Sequence, residues 1–151
     1  VATSFDTLLE TGIRAIANAD GPQATPGTLR YLCGRDTRII VPWKTAADAA
    51  QPGIAMTIVS NVPTGGTGDR RRVQLQFSAF AQGSGARARV QAMTQRLREI
   101  LKPPALLAQG IDGEVLEFTT RDGTDGEVDD ASPKAKARWD LDAVLRGTAP
   151  R

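Results

Sequence analysis

Between Arg71 and Phe80 the chain alternates in a way that few folds can accommodate. Val73, Leu75 and Phe77 fall on one side, and Arg72, Gln74, Gln76 and Ser78 on the other. A period of two marks an extended strand, because successive Cβ atoms point to opposite faces of a sheet. The pattern returns from Lys134 to Asp142, where Ala135, Ala137, Trp139 and Leu141 oppose Lys134, Lys136, Arg138, Asp140 and Asp142. The apolar face of such a strand must be covered by another layer. Its polar face is either wet or meets another subunit.

Two segments have the period that suits a covering helix. Phe5, Leu8, Leu9, Ile13, Ile16 and Ala17 share one helical face, with Thr3 or Ser4 as the cap and Asp20-Gly21-Pro22 as the stop. From Ala86 to Lys102, Val90, Met93, Leu97, Ile100 and Leu101 form an apolar stripe. Ser84 is the expected cap of this second helix, and Pro103-Pro104 its expected end. Thr28–Leu32 suits a short helical turn. Arg38–Val41, Ile54–Ser60 and Glu114–Thr120 read as further strands, and Lys44–Gly53 as a loop or short helical excursion. Pro63–Asp69 and Arg121–Pro133 have the composition of flexible loops, each closing a hairpin. Residues 1–151 are therefore expected to form one α+β domain. Its antiparallel or mixed sheet has about five strands, with the two main helices on one face.

Composition narrows the function. The chain has no histidine, which removes the commonest general base, metal ligand and nucleophile partner. Cys33 is the only cysteine, so no intrachain disulfide or cysteine zinc cluster can form, and a small buried hydrophobe is its expected role. No apolar run reaches the ~20 residues of a membrane helix, and the first residues carry no secretory signal, so a soluble chain made in the cytoplasm is expected. Gly65-Gly66-Thr67-Gly68 lacks phosphate-loop spacing and precedes a strand rather than a helix. Asp122, Asp125, Glu127, Asp129 and Asp130 do not reproduce a calcium-loop pattern. The arginines lack the aromatic series that would accompany specific nucleic-acid reading. Trp139 is expected in the core, while Trp43 suits either a sheet edge or an interface. No cofactor and no catalytic residues are expected.

Charge is sharply segregated. Residues 70–102 hold eight Lys or Arg and one acid, a balance of +7, whereas residues 103–132 hold one Arg and eight acids, a balance of −7. These are either two solvated faces or complementary patches for head-to-tail contact between identical copies.

The layout resembles the tail terminator (tail completion) proteins of long-tailed bacteriophages and related gene transfer particles. The likeness is carried by the apolar strand after Pro52-Gly53, by Arg71–Gln82 running into the arginine-rich helix that opens at Gly85-Ala86-Arg87-Ala88-Arg89, and by the terminal hairpin. It spans most of residues 1–145 as an order of elements. The Thr45–Gly53 stretch and the acidic Asp122–Asp130 loop depart from it.

The resemblance implies a virion structural protein, not an enzyme. It would form a homohexameric ring on the head-proximal end of the tail tube, stop tube polymerisation and offer a head-joining surface. The implied partners are other copies of the chain, the tail tube protein and a head–neck connector protein, with weak non-specific contact to passing DNA and none to membrane. Arg87, Arg89, Arg96 and Arg98 are candidate interface residues, facing Glu114, Glu117 or Asp129 of a neighbour. Arg70, Arg71, Asp122 and Asp125 are candidate axial contacts to tube or head. The alternatives are another neck ring, either connector or stopper, and a monomeric binding module that uses the wet face. A magnesium-assisted hydrolase built on the acidic loop comes last.

Overall fold

The alternation from Arg71 to Phe80 sets the middle of the molecule. Val73, Leu75 and Phe77 are fully buried under helices, while Arg72 and Gln74 are exposed on the opposite face. The computed structural model describes residues 4–42, 52–64, 70–123 and 135–149. Its elements in chain order are α1 (Phe5–Asn18), α2 (Leu29–Cys33), β1 (Ile40–Val41), β2 (Gly53–Pro63) and β3 (Arg70–Gln82). They are followed by α3 (Ala86–Ile100), α4 (Pro103–Ala108), β4 (Asp112–Asp122) and β5 (Lys136–Thr148). Five strands form one mixed sheet in the order β1-β2-β3-β5-β4, so the fold is α+β. All its ladders are antiparallel except β1 with β2.

Both expected hairpins form, β2 with β3 and β4 with β5. Their joint is the long β3–β5 ladder, which runs from Arg70↔Thr148 to Gln82↔Lys136 and places the two alternating segments side by side. Met56, Phe77 and Leu141 form one cross-strand row on the covered face, and α1 and α3 supply Leu9, Ile13, Val90, Met93 and Leu97 to the same core. Trp139 packs against this core from a partly buried position. Cys33 is buried, and burial pushes its thiol up to about 12, so it is un-ionised at neutral pH.

Local chemistry accounts for the helix ends. The Ser4 hydroxyl accepts from the Thr7 N–H at 3.1 Å, and Thr28 caps α2 by accepting from the Tyr31 N–H at 3.2 Å. One expectation is corrected here. Ser84 does not cap α3; the N-cap is Gly85 in the left-handed region at φ 77, with no side-chain cap bond. The helix does end ahead of Pro103-Pro104, at Ile100, and the two prolines also open α4, because a missing N–H costs nothing in a first helical turn. At one pole of the sheet Gly113 faces Gly147 across the β4–β5 ladder. A Cβ at Gly147 would lie 2.9 Å from the Phe5 ring, so the pair leaves room for α1 to start there.

Candidate functional site

Among the described residues, the face of the sheet opposite α1 and α3, together with the rim of α3, holds most of the polar chemistry. Four successive rows cross the open face: Val62–Arg72–Arg146–Glu114, Ser60–Gln74–Val144–Glu117, Thr57–Gln76–Asp142–Thr119 and Ala55–Ser78–Asp140–Arg121. Glu114 accepts from Arg146 at 3.0 Å on the exposed surface. Arg121 lies 3.3 Å from Asp142 and 3.5 Å from Asp140.

Asp140 departs from the rest of the polar face, which is expected either to be wet or to meet another subunit. It points to the open side but is 1% exposed, held between Arg138 at 3.3 Å and Arg121, with Gly123 close over its carboxylate. Removing one partner of a buried ion cluster strands the others, although here both arginines are about half exposed and can rehydrate. Asp140→Ala is therefore expected to destabilise by about 1–2 kcal/mol, read as a lower urea midpoint with an unchanged slope. A variant with the wild-type midpoint would show that the cluster contributes nothing.

The four candidate arginines of α3 have different fates. Arg87 is 3.2 Å from Asp122, and its guanidinium sits 5.7 Å from the centre of the Trp139 ring. Arg98 lies 5.6 Å from the centre of the Phe118 ring on β4. Arg89 is exposed and close enough to Cys33 to pull against the upward shift of its thiol.

Arg96 is committed within the chain. Its Nη2 and Nε donate to both oxygens of Asp20 at 2.7 and 2.9 Å, and Nη1 donates to Glu99 at 3.3 Å. Asp20 also accepts from the Leu29 N–H at 2.8 Å, so one carboxylate joins the end of α1, the start of α2 and the flank of α3. Burial alone would raise the Asp20 carboxyl. The bonds from Arg96 and Leu29 and the Arg96 charge outweigh it and hold the group below its ordinary value.

The acidic candidates are also spread out. Glu114 and Glu117 are exposed on β4, while Asp125 and Asp129 lie outside the described residues, as does Trp43. Arg70 and Arg71 start β3 at one pole of the sheet, and Asp122 ends β4 at the opposite pole. The first pole bears an open cleft of about 230 Å³ lined by Arg70, Asp112, Glu114 and Arg146 along with Pro103 and Thr148. Asp20, Asp140 and Arg138 were not singled out as site residues by their sequence positions. Asp20 reads as a helix stop, and Asp140 and Arg138 as part of a solvated strand face. Among the described residues, no group of three or more His, Cys, Asp or Glu is placed to hold a metal ion, and no helix is long and apolar enough to cross a membrane.

No protein family and no curated protein matches this chain. Its geometry therefore stands on its own. It offers a polar sheet face and two poles that each carry charges of both signs.

Proposed function

We propose that the chain is a ring-forming structural subunit of the tail terminator type, seated at the head-proximal end of a phage tail tube in the virion. The observation that supports this reading is the five-stranded sheet, whose face opposite α1 and α3 carries mostly polar residues among those described, with an exposed, acidic strand at β4. Such a surface suits extended contact with identical neighbours better than enclosure of a small substrate. In this reading Arg70 and Arg71 at one pole and Asp122 at the other are the candidate axial contacts to tube and head. Homohexameric stoichiometry, the connector as second partner and weak contact with passing DNA follow from the family resemblance.

The test combines light scattering over a concentration series, negative-stain imaging and addition of purified tail tubes. Closed rings that stop tube elongation are the expected result. A chain that neither forms rings nor caps tubes overturns the reading.

Among the α3 arginines, Arg89 is the informative one to reverse, because reversing Arg96 would disturb the Asp20 anchor. Arg89→Glu is expected to weaken assembly by roughly fivefold at low ionic strength and less at high salt. Salt-independent, unchanged assembly would remove Arg89 from the interface.

A further inference from the structure

β2 and β4 are interrupted in the same way. The β2–β3 register shifts between Ile58 and Ser60, and the β4–β5 register shifts between Val115 and Glu117. The extra residue is Val59 in one strand and Leu116 in the other. Both are exposed, at 52% and 46%. Bulges on edge strands usually guard against unwanted pairing, in company with charges or prolines. Here the bulged positions carry apolar side chains instead. β2 contains no charged residue, and its proline stands at its end.

Among the described residues, both strands have an outer edge that is not fully paired. β1 pairs with β2 only at Ile54 and Ala55, so among the described residues no strand pairs the outer edge of β2 from Thr57 to Pro63. Among the described residues, the outer edge of β4 has no strand partner along its length.

We propose that copies of this chain join by adding the β4 edge of one to the Thr57–Pro63 edge of the next, with Leu116 and Val59 buried in the joint. The proposal rests on the ring reading for its closed, head-to-tail arrangement. Direction and charge select this pairing over others. Along the sheet β2 and β4 run in opposite directions, so continuing it into a second copy of the same orientation forms an ordinary antiparallel ladder. That ladder brings Asp112 and Glu114 of β4 to the end of β2 where Arg71 and Arg72 of β3 lie alongside Pro63 and Val62. Pairing two β4 edges would instead set acidic strand against acidic strand. Unlike edges give a heterologous contact, which closes into a ring when the rotation between copies allows.

The experiment uses the full chain as wild type, Val59→Lys and Leu116→Lys, with circular dichroism and melting to confirm folding and sedimentation velocity to read mass. Val59→Ser and Leu116→Ser replace any lysine variant that fails to fold. The wild type is expected to associate, and each variant to weaken association by roughly 30-fold. Mixing the two variants leaves one intact joint, between the β4 edge of Val59→Lys and the β2 edge of Leu116→Lys, so 1:1 dimers and nothing larger are expected. Oligomers that persist in both variants overturn the edge joint while leaving the ring reading intact. Loss in only one variant shows that like edges pair, and also overturns the joint. A wild type that stays monomeric at every concentration overturns the joint, and the tube-capping assay then decides the ring reading separately.

Discussion

Asp20→Ala is expected to lower the free energy of unfolding by about 3 kcal/mol, measured as a drop in urea midpoint at constant slope. The side chain has no partner outside the fold. It receives two bonds from Arg96 and one from the Leu29 N–H, and its removal leaves that N–H unpaired at the start of α2. Arg96 is one-third exposed and can recover water, which keeps the loss at the lower end for a broken buried pair. The same group predicts a pH dependence. Its folded pKa lies below the ordinary 3.8, so its contribution is complete above that value and is lost as pH falls through the folded pKa. Stability of Asp20→Asn should thus fall less steeply in that acid range than the wild type. Parallel curves would show that Asp20 is not the group responsible.

Phe77→Ala is expected to cost more, about 3–5 kcal/mol, because it empties the centre of the core. Phe77 is fully buried on β3 between Met56 and Leu141 of the neighbouring strands, under the helical layer. Three ladders limit how far the strands can close over the gap, so the cavity persists. For a chain of this length the loss corresponds to a fall of roughly 10 °C in melting temperature. A change below about 1 kcal/mol would mean that the sheet can collapse around the vacancy, against the packing described.

The separation between these effects and the assembly variants is useful. Asp20 and Phe77 report on the fold, whereas Val59, Leu116 and Arg89 are exposed and report on contact between copies.

Periodicity made the fold legible. The alternating residues of β3 and β5 named their buried faces, and the stripes Phe5–Ala17 and Val90–Leu97 named the helices that cover them. Sheet order was less accessible, because hairpin logic pairs neighbours in sequence and says nothing of β5 inserting between β3 and β4. Strand ends were also understated. Glu114–Thr120 became Asp112–Asp122, since ladder pairing continues past the last apolar residue. The candidate site was legible as charge but not as pairing. Arg96 and Asp20 are 76 residues apart in sequence, and their contact exists only once α1 and α3 share a face. Bulges leave no mark on composition. Val59 and Leu116 read as ordinary strand residues until the registers on either side are compared.

The length of the strands has an evolutionary consequence. β3 has 13 residues, which puts the hairpin connection after Pro63 and the one after Asp122 roughly 40 Å apart at opposite poles. Each connection can lengthen, shorten or change its charge without disturbing the ladder between them. Descendants of such a chain could change the chemistry of one pole while keeping that of the other, with the sheet as an unchanging spacer.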